Sequence, residues 1–389
     1  MLSNGSAPAQ LRKVLVVYGT RPEAIKMAPV IEALRRRPET FAVRVCTTGQ
    51  HREMLDQVQD LFGLTPDLDL QLMQPDQTLN GLAAAALSAL DRVLAAEAPD
   101  WLLVQGDTTT AMTAGLAAFH RGVKVGHVEA GLRTGDLRHP FPEEANRRII
   151  DLLADALFAP TGRSRDALLA EGTDSVKIHV VGNTVIDALH TLAGQNGHAP
   201  GERESPGRPE VLVTVHRRES FGAPIREIFA ALRRLAETFP EVSFVYPVHR
   251  NPNVRGPAFE ILGGLPNLEL CEPLDYRELV RRLERCRLVL TDSGGIQEEA
   301  PTFGKPVLVL RETTERPEGV DAGVARLVGA DRERIFDEAA RLLRSEEDYE
   351  AMARAVNPYG DGRAAERIAA ILAGEPWEPF EPDQPPKAR

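Results

Sequence analysis

The chain has 389 residues, 43% of them hydrophobic and 26% charged, which excludes wholesale disorder and exceeds the usual size of a single core. Its formal net charge of −11 argues against nucleic acid as the main partner, because neutralising phosphates requires a broad basic face. No uninterrupted apolar run reaches the roughly 18 residues that span a bilayer, and the first ten residues lack the features of a signal peptide. We therefore expect a cytoplasmic protein of two domains that binds no membrane.

Short apolar segments rich in Val, Ile and Leu alternate with longer segments of helical periodicity along most of the chain. Because the short segments are apolar on both faces, they are typical of buried parallel strands. The predicted strands, in chain order, are 13–19, 42–49, 101–107, 123–131, 157–161, 211–216, 243–249, 268–273, 288–294 and 306–312. This alternation predicts an α/β fold built from doubly wound, Rossmann-like sheets.

A segment dense in Gly, Pro and charge, 194–210, has no apolar periodicity and is predicted to be a linker. The segments on its two sides begin alike, with a strand, a short turn of basic and acidic residues, and an amphipathic helix. We therefore predict two Rossmann-like domains with a central cleft. Their predicted bounds are 13–193 and 211–358, followed by a C-terminal helix at 359–375, with flexible tails at 1–12 and 376–389.

Ligands of such sheets lie beyond the carboxyl ends of the strands, so residues at strand ends are the candidates for function. Arg21 and Lys26 follow the first strand, where Pro22 suits the first turn of a helix. The N–H groups and dipole of a helix start favour an anion, so the two basic side chains are candidate phosphate ligands. The alternative is a solvated basic turn.

A second candidate anion site follows the strand predicted at 288–294. The hydroxyl of Ser293 and the unhindered N–H groups of Gly294 and Gly295 would form a phosphate cradle at a helix start. Glu299 is placed to accept hydrogen bonds from ribose hydroxyls, and Arg316 is a candidate second phosphate ligand. Together these residues predict a nucleoside diphosphate site; the alternative is an ordinary N-cap with a flexible turn.

No segment of the sequence meets the full requirements of a nucleotide-cofactor or metal-binding motif. The segment 360–365 matches GxGxxA but does not follow a strand, so the dinucleotide fingerprint fails its structural context. The sequence contains no Walker A motif. The three cysteines, Cys46, Cys271 and Cys286, lack metal-ligand spacing and suit a reducing compartment. We expect no NAD, no ATP and no metal.

Carboxylates form the other half of the candidate site. Asp107 and Glu129 end two strands that we expect to be adjacent, and Glu143 lies at the start of a later helix, followed by Glu144 and Arg147. Crowded carboxylates can supply both an acid and a base. The alternatives are an N-cap role for Asp107 and a dipole role for the two glutamates.

His216 ends the first strand of the second domain, beside Arg217, Arg218 and Glu219. Isolated histidines are usually structural, but one at a strand end in a phosphate-binding domain is a candidate functional residue.

These residues lie within long motifs that resemble the non-hydrolysing UDP-N-acetylglucosamine 2-epimerases. The resemblance extends from about residue 13 to residue 372. Its motifs are GTRPEAIKMAPV, TGQHREMLDQV, GDTTTAM, HVEAGLRTGDL, PEEANRR, HRRESFG, PLDY, TDSGGIQEEAPTFGKPVLVLRETTERPEG and NPYGDG. The resemblance implies a glycosyltransferase-B-like pair of domains, a homodimer, and conversion of UDP-N-acetylglucosamine to UDP-N-acetylmannosamine for cell-envelope polysaccharide.

The resemblance also implies roles for individual residues. The implied catalytic carboxylates are Asp107, Glu129 and Glu143, with Arg147 supporting Glu143, and which of them is acid or base stays open. The implied UDP ligands are Arg21, Lys26, His216, Ser293, Gly294, Gly295, Glu299 and Arg316, with Leu274 and Leu279 beside the uracil.

Bacterial relatives bind a second UDP-N-acetylglucosamine as an activator, and the residues matching that site are Gln50, His51, Arg218 and His249. Glu53 and Asp76 stand where some regulated relatives have Gln and Arg. An extra acidic residue near an anionic activator is expected to weaken binding of that activator.

The resemblance implies a mechanism in which UDP leaves C1 while a carboxylate removes the C2 proton, forming 2-acetamidoglucal, and UDP then adds back. Three alternatives remain open on the sequence: a hydrolysing epimerase that releases N-acetylmannosamine and UDP, a retaining glycosyltransferase, and a catalytically silent UDP-sugar sensor.

Overall fold

The computed structural model describes residues 11–49, 52–74, 77–195 and 207–382. The chain divides into two compact units: the first runs to Ala188 and includes Gly360–Glu381, and the second contains Leu189–Tyr359. The division falls inside a helix near the predicted linker.

The first unit contains a parallel sheet whose strands are β1 (Arg12–Tyr18), β2 (Phe41–Thr47), β3 (Leu68–Asp69), β4 (Trp101–Gln105), β5 (Lys124–Val128), β6 (Ala156–Ala159) and β7 (Ile178–Val180). Its helices are α1 (Arg21–Arg35), α2 (Arg52–Phe62), α3 (Leu79–Glu97), α4 (Thr109–His120), α5 (Glu143–Leu153), α6 (Gly162–Ala170) and α7 (Thr184–Gln195). The strand order β3-β2-β1-β4-β5-β6-β7 reverses between β1 and β4, which is where such sheets bind ligands.

The second unit contains β8 (Glu210–Thr214), β9 (Ser243–Pro247), β10 (Leu268–Cys271), β11 (Leu288–Thr291), β12 (Val307–Val309) and β13 (Ala325–Leu327). Its helices are α8 (Ala223–Thr238), α9 (Pro252–Leu262), α10 (Tyr276–Arg285), α11 (Gly294–Glu299), α12 (Pro317–Asp321), α13 (Arg332–Arg344) and α14 (Glu346–Ala353). Its parallel order, β10-β9-β8-β11-β12-β13, reverses between β8 and β11. Both sheets therefore have the predicted doubly wound α/β topology.

The C-terminal segment returns to the first unit. Helix α15 (Ala364–Ala373) packs against α1, and the N–H of Ala365 donates to buried Asp187 at 2.8 Å. The prediction of a flexible tail from residue 376 is wrong for its first part, since the N–H of Phe380 donates to the carbonyl of Val180 at 2.8 Å and its ring is buried. An apolar aromatic ring covered in this way anchors the segment despite its many prolines.

Helix α3 is long and apolar enough, by length and composition alone, to cross a membrane. Its buried residues recur every three or four positions, and Ala86, Leu90 and Leu94 join the core of the first unit. That spacing is typical of a helix packed on a sheet, and one such helix is weak evidence for a membrane span.

Candidate functional site

Two carboxylates lie at the carboxyl ends of β4 and β5, beside the point where the strand order of the first sheet reverses. Strands β4 and β5 pair in parallel with Gln105 opposite Val128, so Asp107 and Glu129, which follow these strands, emerge at the same edge. The predicted adjacency of their strands is confirmed. Glu129 has a φ of 68°, a left-handed conformation that costs free energy for a residue with a Cβ, and such conformations cluster at functional sites.

Glu129 is held by two side chains. The ammonium group of Lys26, on α1, forms a salt bridge with its carboxylate, and the amide of Gln105 donates to the same oxygen at 2.6 Å. The side chain of Glu129 is only 7% exposed, which strengthens both interactions. Lys26, assigned to UDP from the resemblance, therefore contacts one of the candidate catalytic carboxylates in the structure.

Asp107 is bound by α5. The guanidinium of Arg147 contacts its carboxylate, and the amide of Asn146 donates to its backbone carbonyl at 2.9 Å. The N-cap of α4 is Thr108, whose hydroxyl accepts the N–H of Ala111 at 3.1 Å. The alternative that Asp107 caps this helix is therefore wrong, and its side chain carries no capping duty.

The two glutamates at the start of α5 have different surroundings. Glu144 is fully buried and accepts hydrogen bonds from the N–H of Thr134 at 3.1 Å and from Arg148 at 3.1 Å, a structural role. Glu143, the first residue of the helix, is half-buried. Arg147 was expected to support Glu143, but its carboxylate partners in the structure are Asp107 and Glu144. One helical turn of spacing from Glu143 does not decide which carboxylate an arginine reaches.

A further buried carboxyl group shapes the turn after β1. Glu23 accepts the N–H of Gly19 at 3.0 Å and of Thr20 at 2.7 Å, and the hydroxyl of Thr108 at 2.7 Å. Burial raises its pKa, while these hydrogen bonds oppose the shift. Thr20 and Glu23 form a capping box, a spacing the sequence shows but our reading did not use. This box fixes the start of α1, where Arg21 is the first residue.

The second sheet presents a basic turn at its own reversal point. Ser293 occupies the N-cap position of the short helix α11 without a capping hydrogen bond from its side chain, and the first residues of the helix are Gly294 and Gly295. A Cβ built on Gly294 would lie 3.4 Å from the guanidinium of Arg316 and 3.5 Å from that of Arg217. The guanidinium groups of two arginines therefore lie close to the backbone at the start of α11. The sequence predicted a phosphate role for Arg316 but none for Arg217, which directly follows His216.

Arg316 and Glu299 are each positioned by neighbouring residues. The Nε of Arg316 donates to the buried carboxylate of Glu298 at 2.8 Å, which limits the rotamers of this long side chain. The hydroxyl of Tyr276 lies 3.4 Å from Oε1 of Glu299. Tyr276 belongs to the PLDY motif, in which we had singled out half-buried Leu274; half-buried Leu279 follows on α10.

His216 follows β8 and is fixed through its backbone. The fully buried carboxylate of Asp292 accepts the N–H of His216 at 2.9 Å and of Arg217 at 2.8 Å. Burial lowers the pKa of His216 below its ordinary value of 6.5, although Asp292, 3.5 Å from Nδ1, acts in the opposite direction. The imidazole is therefore neutral at pH 7.

Only part of the predicted activator site lies in the described residues. The ring of His249 stacks on that of His216, with centroids 5.8 Å apart, and Arg218 is exposed nearby in sequence. Gln50, His51 and Asp76, with the side chain of Glu53, lie outside the described residues. Among the described residues, no group of three or more His, Cys, Asp or Glu side chains is arranged to hold a metal ion.

Comparison with known proteins identifies relatives over nearly the whole chain. The family model for UDP-N-acetylglucosamine 2-epimerase matches residues 32–373. A UDP-N-acetylglucosamine 2-epimerase of Escherichia coli K12 is 52% identical over 369 residues, which are 92% of this chain and 98% of that protein. The crystal structure of the Neisseria meningitidis enzyme bound to UDP-GlcNAc is 46% identical, covers 93% of this chain and all of that one, and has a TM-score of 0.85.

A solved glycotransferase of kitacinnamycin shares the fold alone. It is 16% identical, covers 93% of this chain and 98% of its own, and has a TM-score of 0.63. The glycosyltransferase-B-like fold class is confirmed.

Proposed function

The chain belongs to the UDP-N-acetylglucosamine 2-epimerase family, and we propose that it inverts C2 of UDP-N-acetylglucosamine by eliminating UDP and adding it back. The observation that carries this proposal is the pairing of two chemistries in one chain. In the first unit, cations bind Asp107 and Glu129 at the carboxyl ends of β4 and β5, and in the second unit Arg217 and Arg316 lie beside the glycine-rich start of α11.

Elimination is required because C2 bears an acetamido group rather than a carbonyl, so its proton is not acidic enough for direct exchange. One carboxylate among Asp107, Glu129 and Glu143 takes the C2 proton as the C1–O bond breaks, and the bonding pair leaves with UDP. The glucal, with its C1=C2 double bond, is then protonated on the opposite face of C2 while UDP re-forms the C1–O bond. The sequence is redox-neutral overall, so it requires no nicotinamide cofactor.

The leaving group is an anion, and the two arginines beside the start of α11 support an anion site there. Arg316, Arg217 and the N–H groups of Gly294 and Gly295 stabilise the departing diphosphate, and Arg21 and Ser293 are assigned to the same group. Electrostatic stabilisation of developing charge is usually the largest contribution to such catalysis. Glu299 is assigned to the ribose hydroxyls, and Leu274 and Leu279 to the uracil.

The products distinguish the proposed reaction from the hydrolysing one. Purified protein is incubated with UDP-N-acetylglucosamine, and nucleotide sugars, free sugar and UDP are separated chromatographically. UDP-N-acetylmannosamine approaching an equilibrium with its substrate supports the proposal. Free N-acetylmannosamine with stoichiometric UDP would assign the hydrolysing reaction, and binding without turnover would leave a sensor.

His216 gives a prediction on pH. Because burial lowers its pKa, the free protein holds a neutral imidazole, and a bound diphosphate favours the protonated ring. UDP binding is therefore expected to take up a proton, so affinity rises as pH falls from about 8 to about 6. Calorimetry in buffers of different ionisation enthalpy measures the uptake. His216→Gln should reduce it to that of the UDP phosphates alone; equal uptake in variant and wild type would remove His216 from the phosphate site.

We further propose a cytoplasmic homodimer that supplies UDP-N-acetylmannosamine to cell-envelope polysaccharide. The free cysteines Cys46, Cys271 and Cys286 support a reducing compartment. Exposed apolar side chains on α4 and α5, among them Phe119 and Leu152, support self-association of the first unit. The stacked pair of His216 and His249 supports a link between substrate and the activator site assigned to Gln50, His51, Arg218 and His249.

A further inference from the structure

A buried histidine lies in the first sheet, two residues before the candidate catalytic residue Glu129. His127 is on β5 with no exposed surface, and both of its ring nitrogens have partners. Its Nδ1 is 2.6 Å from a carboxylate oxygen of Asp151, on α5, and its Nε2 is 2.8 Å from the backbone carbonyl of Gly106. The ring therefore bridges a helix to the turn that follows β4.

The partners define the protons on this ring. A backbone carbonyl only accepts, so Nε2 donates to Gly106. Burial alone would raise the pKa of Asp151, but His127 and Arg133, whose guanidinium lies 2.7 Å from Asp151, together hold it below its ordinary value. The His127 ring is therefore held between two hydrogen-bond acceptors, the carboxylate of Asp151 and the carbonyl of Gly106.

The bond from His127 ends one residue before the candidate catalytic carboxylate. Gly106 has a φ of 70°. Because glycine adopts many backbone conformations, the turn that carries Asp107 depends on tertiary contacts to keep this one. The carbonyl of Gly106 accepts from His127, and the carbonyl of Asp107 accepts from Asn146. Asp151 also accepts the N–H of Gly131 at 3.3 Å, two residues after Glu129.

We propose that His127, held by Asp151, is a positioning residue that fixes the backbone of Asp107 for proton transfer at C2. This inference rests on the proposed function, since it assigns His127 a duty in that reaction. His127 acts through the carbonyl of Gly106 and contacts no reacting atom. A displacement of about 1 Å at a catalytic group costs about 10²-fold in rate, so one hydrogen bond in this place has a large effect on turnover.

A matched pair of variants separates the hydrogen bond from the space that the ring fills. Glutamine and methionine have similar length and flexibility, but only His127→Gln retains an N–H able to reach the Gly106 carbonyl. We expect His127→Met to lower kcat about 100-fold and His127→Gln to stay within about 10-fold of wild type. KM for UDP-N-acetylglucosamine and Kd for UDP should change little, because the diphosphate ligands lie elsewhere.

The outcomes distinguish failure of the positioning role of His127 from failure of the proposed epimerase function. Wild-type protein without epimerase activity would overturn the proposed function itself. With active wild type, equal kcat in the methionine and glutamine variants would overturn the positioning role alone, as would a loss that appears in UDP affinity rather than in kcat. If His127→Met fails to fold, Asp151→Asn preserves the side-chain shape; it should lower kcat about 10-fold at unchanged UDP affinity, and wild-type kcat would overturn the role.

Discussion

Replacing Asp107 with asparagine is expected to lower kcat by about 10²- to 10⁴-fold, the usual contribution of general acid–base catalysis. Asparagine has nearly the same shape and still accepts a hydrogen bond from Arg147, so the turn after β4 should keep its conformation. It cannot accept a proton. Kd for UDP, measured by calorimetry, is expected to stay close to the wild-type value because Asp107 is not among the residues proposed to bind the diphosphate.

The same strand provides the control for this change. Asp100 lies at the opposite end of β4, where its exposed carboxylate accepts the N–H of Lys13 at 2.8 Å, and Asp100→Asn should leave kcat unchanged. Glu129→Gln and Glu143→Gln test the two other carboxylates in the same assay. Near-wild-type kcat in any of the three variants would remove that residue from the catalytic set.

Replacing Arg316 with glutamine is expected to raise Kd for UDP about 10- to 100-fold. The change removes a charge-assisted hydrogen bond to phosphate, worth about 1.5–3 kcal/mol. It also leaves the carboxylate of Glu298, 3% exposed, without the cation that lies 2.8 Å away. Because the carboxylate of Glu298 then loses one cationic partner close to the proposed diphosphate site, we expect an effect near the upper end of the range.

Arg326 is a suitable control, since its guanidinium forms a salt bridge with Glu338 on the surface and is 44% exposed. Arg326→Gln should bind UDP as the wild type does, because surface ion pairs contribute little. An Arg316→Gln protein with wild-type UDP affinity would show that Arg316 does not bind the phosphates.

The residues at the carboxyl ends of the strands could be predicted because buried parallel strands are continuous apolar segments that are easily recognised in a sequence. Continuous apolar segments ending in polar residues placed Asp107, Glu129 and His216 at strand ends, and the pairing of β4 with β5 brought the first two together. The segment after β11 could be predicted equally well, since Ser293, Gly294 and Gly295 follow a predicted strand and begin a helix.

Side-chain partners could not be predicted in the same way. Lys26 and Glu129 are 103 residues apart, and Arg147 reaches Asp107 across 40, so these pairs depend on sheet order rather than on local spacing. The strands β3, β7 and β13 were not predicted, because each has only two or three residues, too few for a hydrophobic period to appear. The position of Phe380 was not predicted, because the proline-rich composition of the segment indicates a flexible tail and does not reveal that one aromatic ring is buried.

Elimination and re-addition of UDP are tested most directly by proton NMR of UDP-N-acetylglucosamine incubated with the purified protein in D₂O. Elimination removes the C2 proton and replaces it from solvent, so the predicted result is UDP-N-acetylmannosamine carrying deuterium at C2, with deuterium also entering the recovered substrate. Product that retains its original C2 proton, or bound substrate that shows neither inversion nor exchange, would contradict the account.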